Sequence, residues 1–298
     1  MQAILGFQLQ TITKPVPNNH DVLVHVYATT VTRGDVVLSS LPGFMYWSPI
    51  KQLLGIPPKK TIPGHEFAGI VEAVGDSVTR FKVGDAVFGT TTGLTTGSNA
   101  EYVCVPETWD TGVITHKPEH LSFEEAAALP VGGMTAWYLL QKAAVMHGEK
   151  VLIYGASGSV GSYALQLAHH LGANVTGVAS TRNLDLIQSL GANHVIDYTK
   201  TDFTQGNETY DVIFDAVGKA TPGKSKRVLR KGGRFISIRE TTHESAEVLT
   251  HLSNLADSGK LKSVIDRHFT LEQISEAYKY VKSGRKTGNV IISVRQAA

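Results

Sequence analysis

Apolar residues follow two different patterns along the chain. Up to about residue 116 they form short runs of strand length, at 22–27, 67–74, 86–88 and 101–105. Turn residues separate these runs, and no long segment there has the three-to-four residue spacing of an amphipathic helix. This pattern predicts a small β-barrel or sandwich for the N-terminal part of the chain.

From residue 121 onwards strand-like runs alternate with helical periodicity. Ser122 and Glu125 have the spacing of a capping box, which predicts a short helix that ends at Pro130. Strands are predicted at 151–154, 174–179, 194–197, 210–216, 233–238 and 289–294, and helices at 133–145, 184–190, 225–230, 244–258 and from Thr270 through residue 283. Strands that alternate with helices form right-handed crossovers, so we predict an α/β fold with a parallel, doubly wound sheet.

Three glycines at intervals of three, Gly155, Gly158 and Gly161, follow the strand predicted at 151–154. Apolar residues at helical spacing come next, from residue 160 to residue 171. A strand, a glycine turn and a helix start, in that order, are typical of a dinucleotide-phosphate site. The glycines allow the backbone to approach the pyrophosphate, which binds the free N–H groups at the helix N-terminus.

The residues after the second of these strands indicate which dinucleotide binds. In this fold an acidic residue there holds the ribose hydroxyls of NAD, whereas a basic residue accommodates the extra phosphate of NADP. Here Ser180, Thr181 and Arg182 follow the strand, and the first carboxylate, Asp185, falls inside the next predicted helix. The planar fork of the arginine and the two hydroxyls suit a phosphate group, so the sequence favours NADPH.

Composition narrows the class of protein. A chain of 298 residues is long enough for two domains, and 42% hydrophobic with 18% charged residues is typical of a soluble globular protein. The net charge of +2 does not favour nucleic-acid binding. Cys104 is the single cysteine, which excludes disulfides within the chain and a multi-cysteine metal site. No apolar run reaches membrane-spanning length and the first residues lack a signal-peptide pattern, so we expect a cytoplasmic protein.

Several further motifs identify a family. They are Thr32-Arg-Gly-Asp35, Gly64-His-Glu66, Val83-Gly-Asp85, Gly133-Met-Thr-Ala136, Asp215-Ala-Val-Gly218 and Gly284-Arg-Lys-Thr-Gly-Asn-Val290. With the glycine turn, they resemble the medium-chain dehydrogenase/reductase superfamily and, within it, the zinc-free quinone oxidoreductase (zeta-crystallin-like) group. The resemblance covers nearly the whole chain. It implies a groES-like β-barrel domain at 1–118 and 265–298, a Rossmann NADP-binding domain at 119–264, an active cleft between them, and a homodimer.

The resemblance also implies roles for individual residues, by their matching positions. Those that would hold the pyrophosphate are Ser157, Gly158, Ser159 and Val160, after Gly155. Ser180 and Arg182 would face the adenosine phosphate, and Tyr198 would lie along the adenosine. Thr135, Val217 and Gly218 would lie beside the nicotinamide, and Thr32 stands where relatives carry an asparagine that contacts the nicotinamide amide.

The resemblance raises the question of zinc, because zinc alcohol dehydrogenases of this superfamily use the histidine of a Gly-His-Glu motif as a ligand. His65 stands at that position, but Thr32 replaces the early cysteine ligand. Val131 and Gly132 occupy the late ligand position and offer no ligand side chain. A catalytic zinc needs about three protein ligands, so we predict that the protein binds no metal.

Without a metal to polarise an alcohol or carbonyl oxygen, the expected reaction is hydride transfer from NADPH to a small hydrophobic electrophile, either a quinone or an α,β-unsaturated carbonyl compound. An aromatic segment at 41–49, broken by two prolines, could line the substrate pocket or cover the edge of a core. Tyr46 is the candidate proton donor to the developing enolate, and Phe44 and Trp47 could stack on a flat substrate. Two alternatives remain, an alcohol dehydrogenase of the same superfamily and a non-catalytic NADPH-binding sensor or structural protein.

Overall fold

The computed structural model describes residues 1–41 and 60–295. These residues contain the strands β1 Gln2–Leu5, β2 Gln8–Thr11, β3 Asp21–Thr30, β4 Glu66–Val74, β5 Ala86–Thr90, β6 Tyr102–Pro106, β7 Ile114–His116, β8 Lys150–Tyr154, β9 Asn174–Ala179, β10 His194–Asp197, β11 Tyr210–Asp215, β12 Leu229–Ser237, β13 Ile265–Thr270 and β14 Asn289–Ser293. The helices are α1 Arg33–Ser39, α2 Phe123–Ala128, α3 Pro130–Lys142, α4 Ser159–His170, α5 Leu184–Ser189, α6 Pro222–Ser225, α7 Ala246–Asp257 and α8 Ile274–Lys282.

The chain divides into two compact units. The first unit contains Met1–Val131, Glu244–Ser253 and Ile265–Ala298. The second contains Gly132–His243 and Asn254–Val264.

The first unit is built on a seven-stranded sheet. Its strand order is β13-β14-β3-β4-β5-β7, and β6 pairs with β3 as well. β3 pairs antiparallel with β4, β6 and β14, which makes it the centre of the sheet. Val22, Val24 and Val26 alternate along β3 and are fully buried against Phe67 and Val87. This period of two places one face of the sheet in the core.

Helix α2 belongs to the first unit and packs on β3 through its N-terminal end. Ser122 accepts a hydrogen bond from the Glu125 amide, and the Glu125 carboxylate accepts one from the Ser122 amide. The predicted capping box is therefore confirmed. The ring of Phe123, the first helical residue, stacks on Tyr27 of β3 with 4.5 Å between ring centres.

The second unit is built on a five-stranded parallel sheet with the order β10-β9-β8-β11-β12. Successive strands run outward from β8 on one side, and the chain then returns to the other side of β8 for β11 and β12. Ligands bind in this fold at the carboxyl edge of the sheet, where the strand order reverses. Leu152, Ile153, Val178, Ile213 and Phe214 are fully buried in the central strands. The predicted fold class, a doubly wound parallel sheet with a separate N-terminal β-domain, is confirmed.

The helix predicted at 225–230 is wrong. Helix α6 ends at Ser225 and β12 already begins at Leu229, which pairs with Tyr210 of β11. Pairing with the neighbouring strand outweighs the helical preference of a short lysine- and arginine-rich segment. Gly232 has a φ of +79°, and the register between the two strands shifts nearby, so the first part of β12 is irregular.

Helix α1 was not predicted, because its seven residues are too few for a recognisable helical period. Its start is nevertheless encoded in the sequence. Thr32 and Asp35 form a capping box, in which each side chain binds the backbone amide of the other residue. The predicted substrate-pocket residues Phe44, Tyr46 and Trp47 lie outside the described residues.

In the described part of the chain, no helix combines the length and the apolar character needed to cross a membrane.

Candidate functional site

The turn after β8 has the geometry of a phosphate-binding loop. Gly155 has a φ of +83°, a conformation that L-residues rarely adopt, and a Cβ there would lie 2.3 Å from Val217 Cγ2. The Gly158 amide donates to the Gly155 carbonyl at 3.1 Å. A Cβ on Gly161 would lie only 2.1 Å from that same carbonyl oxygen. Both Gly155 and Gly161 therefore have to lack a side chain for the helix to start so close to the strand.

The N-terminus of helix α4 has no side-chain cap. Gly158 is its N-cap, has extended backbone geometry, and makes no side-chain capping hydrogen bond. Since the first N–H groups of a helix have no partner within the helix, this end can bind an anion. Ser159 and Val160 form the first turn, and both are half-buried.

The loop after β9 carries the residues predicted to bind an adenosine phosphate. Ser180 is half-buried and Arg182 is exposed, within a 3₁₀ turn that spans Thr181–Asn183. The Thr181 hydroxyl points elsewhere, because it donates to Asp197 Oδ2 at 2.5 Å. Ser180 and Arg182, the two residues of this loop predicted to face the adenosine phosphate, lie directly after β9 and within the turn that follows it.

The next strands add three more predicted residues at the same edge. Tyr198, directly after β10, is 53% exposed, and its amide donates to the Ala179 carbonyl. Val217 and Gly218 follow β11, and their amides donate to Asp215 Oδ1 at 3.1 and 2.9 Å.

Helix α3 carries the last predicted residue of this unit. Thr135 is half-buried in the helix. A Cβ on Gly132, in the first turn of α3, would lie 2.5 Å from Ser159 Oγ, so the N-terminal turns of α3 and α4 lie side by side.

The structure therefore brings most predicted cofactor residues of the second unit to the carboxyl ends of four neighbouring parallel strands. These residues are Gly155, Ser157, Gly158, Ser159, Val160, Ser180, Arg182, Tyr198, Val217 and Gly218. Thr32 lies in the first unit, where its hydroxyl donates to Asp35 Oδ2 at 2.6 Å. Tyr46 lies outside the described residues.

Sequence reasoning missed two residues of this edge. Asp215 is fully buried and holds the loop after β11 through the two amides named above and through Ser237 Oγ. Asn183 is also buried, and its side-chain amide donates to Ser157 Oγ at 3.0 Å. Asp215 stood within a family motif, but nothing in the sequence marked Asn183 as more than a helix-start residue.

The first unit contains a second group of polar residues, around His65. Asp35 is 3% exposed, and its carboxylate lies 2.5 Å from His65 Nδ1. The facing histidine and the hydrogen bonds from Thr32 lower the pKa of Asp35 despite its burial. Asp35 therefore fixes the orientation of the His65 ring and engages one of its two nitrogens.

Glu66 is buried beside this pair. Its carboxyl group accepts a hydrogen bond from the Val131 amide at 2.8 Å and another from Thr30 Oγ1. Burial raises the pKa of Glu66 to about 8, although both hydrogen bonds act in the opposite direction. The group is thus favoured in its neutral form at neutral pH.

Lys60 and Glu244 complete the polar group. The Lys60 ammonium donates to the carbonyl oxygen and the hydroxyl of Thr91, at 2.6 and 2.8 Å, and burial lowers its pKa to about 8. Glu244 accepts hydrogen bonds from Thr90 and from Thr92, and burial raises its pKa. Each of these charges is held by neighbouring polar atoms of the same unit.

These donors do not fit a catalytic zinc. Asp35 engages His65 Nδ1, so His65 could offer a metal only Nε2, whereas Glu66 is engaged with Thr30 and Val131 and Thr32 caps a helix. Across residues 1–41 and 60–295, no group of three or more His, Cys, Asp or Glu side chains could hold a metal ion. A catalytic zinc needs about three protein ligands.

A dinucleotide, by contrast, fits the second unit. A turn whose glycines leave no room for a Cβ leads into a helix N-terminus without a side-chain cap. Ser157, Ser180 and Arg182 add hydroxyl and guanidinium donors at the same sheet edge. The backbone amides would hold the pyrophosphate, and the loop after β9 would hold the adenosine end.

Fold and site together define a class of protein in which a β-sheet unit accompanies a Rossmann-type unit. Two family models match the chain. Residues 18–118 match the alcohol dehydrogenase GroES-like domain, and residues 159–283 match the zinc-binding dehydrogenase model.

Named relatives and a solved structure agree with this class. The chain is 37% identical to a 2-methylene-furan-3-one reductase from Solanum lycopersicum and 33% identical to an NADPH-dependent alkenal/one oxidoreductase, chloroplastic, from Arabidopsis thaliana, in each case over 79% of this chain and 64% of the relative. It is 32% identical to a zinc-type alcohol dehydrogenase-like protein from Schizosaccharomyces pombe, over 92% of this chain and 87% of the relative. The structure of the quinone oxidoreductase from Coxiella burnetii superposes with a TM-score of 0.85 at 29% identity, covering 99% of both chains.

The chain belongs to the medium-chain dehydrogenase/reductase superfamily, as its motifs predicted. It spans 64% of the length of the two plant relatives. Members of this superfamily normally bind NAD or NADP.

Proposed function

We propose that the protein is an NADPH-dependent, zinc-independent oxidoreductase that transfers a hydride to a quinone or an α,β-unsaturated carbonyl compound. The observation that carries this proposal is the carboxyl edge of the parallel sheet. There, the glycine turn after β8 lies next to the loop after β9 that contains Ser180 and Arg182. This second loop contains no carboxylate.

The loop after β9 supports NADPH over NADH. An NAD-specific site of this fold places a carboxylate at this point to bind the ribose hydroxyls. Here Arg182 offers a planar, permanently charged fork, and Ser180 offers a hydroxyl. Asp185, the first carboxylate after the loop, lies in the first turn of α5. One of the plant relatives is named as NADPH-dependent, which agrees with this assignment.

The candidate metal-binding side chains of the first unit support a substrate that accepts a hydride without a metal, rather than an alcohol. Alcohol oxidation in the zinc-dependent branch relies on a metal that polarises the oxygen, and the described residues offer no group of three His, Cys, Asp or Glu side chains that could hold one. Quinones and conjugated enals or enones need no such metal. The relatives named as alkenal/one oxidoreductase and quinone oxidoreductase act on compounds of this kind by name.

The reduced nicotinamide supplies the hydride when the dinucleotide is bound. The chain's own residues bind and orient the cofactor. Amides at the start of α4 would hold the pyrophosphate, and Arg182 would neutralise the phosphate on the adenosine ribose. Thr135, Val217 and Gly218 would border the nicotinamide end. The proposal includes Tyr46 as proton donor to the reduced substrate and a homodimeric assembly in the cytoplasm.

The decisive experiment is a steady-state assay of the purified protein with NADPH and NADH against several acceptors. A simple quinone, an alkenal, a conjugated ketone and a saturated aldehyde would be compared, and alcohol oxidation with NADP⁺ would be measured in parallel. We expect turnover of the conjugated acceptors with NADPH. Alcohol oxidation as the main activity would support the alcohol dehydrogenase alternative. NADPH binding without turnover of any acceptor would indicate a non-catalytic protein.

A further inference from the structure

Asn183 occupies a position in which its side chain would ordinarily cap a helix. It is the N-cap residue of α5 and is 8% exposed, yet it makes no side-chain capping hydrogen bond. Its side-chain amide nitrogen instead lies 3.0 Å from Ser157 Oγ and 3.4 Å from Ser180 Oγ. One buried amide therefore links the glycine turn after β8 to the loop after β9.

This arrangement determines how the two serine hydroxyls can be used. A hydroxyl has one hydrogen to donate and two lone pairs that accept. Ser157 and Ser180 each accept a hydrogen bond from Asn183. Within residues 1–41 and 60–295, neither hydroxyl donates to a protein acceptor. Both hydrogens are thus directed away from Asn183 and remain available for a ligand acceptor such as a phosphate oxygen.

The two hydroxyls lie beside different phosphate-binding features. Ser157 belongs to the turn that leads into the uncapped N-terminus of α4. Ser180 precedes Arg182 in the loop predicted to bind the adenosine 2′-phosphate. A ligand that carries both a 5′-phosphate and a 2′-phosphate on one adenosine would reach both features.

We infer that Asn183 is a positioning residue, which holds Ser157 and Ser180 as paired hydrogen-bond donors to the 5′- and 2′-phosphate groups of one adenosine. The two phosphate subsites are then coupled through a single side chain. This inference rests on the proposed NADPH specificity, and it adds a determinant that the loop after β9 does not contain by itself.

A distinct consequence follows for ligand selectivity. A ligand with both phosphates depends on both oriented hydroxyls, whereas a ligand with one phosphate depends on one. Loss of the Asn183 amide should therefore weaken the binding of 2′,5′-ADP more than the binding of 5′-AMP. A merely structural role of Asn183 would weaken both ligands by the same factor.

The test is calorimetric titration of the purified protein, without dinucleotide, with 2′,5′-ADP and with 5′-AMP. We expect Asn183→Ala to weaken 2′,5′-ADP by about tenfold or more, since hydrogen bonds to charged groups are among the stronger ones. In a Ser157→Ala/Ser180→Ala background the same change should have little further effect, because the hydroxyls it orients are gone. Asn183→Leu, close in size but without an amide, should behave like Asn183→Ala and serves if the alanine variant does not fold.

Asn193→Ala is the matched control. Its side-chain carbonyl accepts from the Val175 amide, near the start of β9 and so at the opposite edge of the same sheet, and its removal should leave both affinities unchanged. The inference would be overturned if Asn183→Ala reduced the affinity for 2′,5′-ADP equally in the wild-type protein and in the Ser157→Ala/Ser180→Ala variant. It would also be overturned if Asn183→Ala left the ratio of the two ligand affinities unchanged. Failure of the proposed function has a different signature: the wild-type protein would bind 2′,5′-ADP no more tightly than 5′-AMP.

Discussion

The carbonyl oxygen of Gly155 occupies the space that a side chain on Gly161 would need, because a Cβ there would lie 2.1 Å from it. This contact brings the first turn of α4 directly against the end of β8. The amides at the helix start thereby lie at the sheet edge to which we assign the pyrophosphate. The third glycine of the motif is thus required for packing, whereas the first is required for its left-handed backbone, with a φ of +83°.

Gly161→Ala should lower the free energy of unfolding by about 1–3 kcal/mol, the usual effect of an overpacked contact. The added methyl group meets a backbone oxygen that cannot move without shifting β8. Chemical denaturation of the purified variant measures the change. Gly158→Ala is the control, since its Cβ would lie 3.5 Å from the same oxygen and its φ is −78°. Equal stability of the two variants would contradict this explanation.

The parallel sheet could be predicted from the sequence because its central strands β8, β9 and β11 are largely buried and are rich in apolar residues. The run at 151–154 lies within β8, and the strands predicted at 174–179 and 194–197 have the bounds of β9 and β10. The helix predicted at 225–230 is wrong because the local sequence there carries little information. That segment is short and charged, so its conformation is decided by pairing with β11, which no local pattern reveals.

The candidate site could be predicted only in part, for a similar reason. Glycines and phosphate-binding loops are local features, so Gly155, Ser180 and Arg182 could be located from their neighbours in sequence. The contact between Asp35 and His65 joins residues 30 positions apart, and the contact between Asn183 and Ser157 joins residues 26 apart. Such pairs depend on which strands lie side by side, and a single sequence does not display that information.

Arg182→Ala should raise KM for NADPH by about tenfold or more and change KM for NADH little. The guanidinium would lose its charge-assisted contact with the 2′-phosphate, a group that NADH lacks. Steady-state kinetics with both cofactors measure the difference. Arg227→Ala is a suitable control, because Arg227 is an exposed arginine of the same unit whose side chain donates to Gln205. A parallel rise of both KM values in Arg182→Ala would remove Arg182 from cofactor selection.

Removal of zinc should leave the activity intact. His65 could offer one ring nitrogen, but the Glu66 carboxyl binds Thr30 and the Val131 amide, and the described residues contain no group of three His, Cys, Asp or Glu side chains that could hold a metal. Prolonged dialysis against a zinc chelator should change neither dinucleotide affinity nor turnover. Elemental analysis of the untreated protein provides the second measurement. One tightly bound zinc per chain, lost together with activity, would refute the zinc-independent reaction.

Glu66→Gln should flatten the dependence of stability on pH between about pH 5 and pH 7.5. Burial raises the pKa of Glu66 from 4.5 to about 8, so the folded protein keeps a proton that the unfolded chain releases. The stability that this group contributes is fully present below pH 4.5 and is lost as the pH rises through about 8. Glutamine is neutral at every pH and has no such loss.

Thermal unfolding of wild type and Glu66→Gln across that range measures the effect, and the variant should gain stability relative to wild type as the pH rises. Glu208→Gln is the matched control. Glu208 is exposed and paired with Lys150, which lowers its pKa, so its replacement should not flatten the profile. Parallel melting profiles for wild type and Glu66→Gln would mean that the Glu66 carboxyl is ionised in the folded protein. The Thr30 and Val131 contacts would then be stabilising a buried carboxylate. Lys286, whose pKa burial lowers and an ionised Glu66 would raise, would be a charge that balances it.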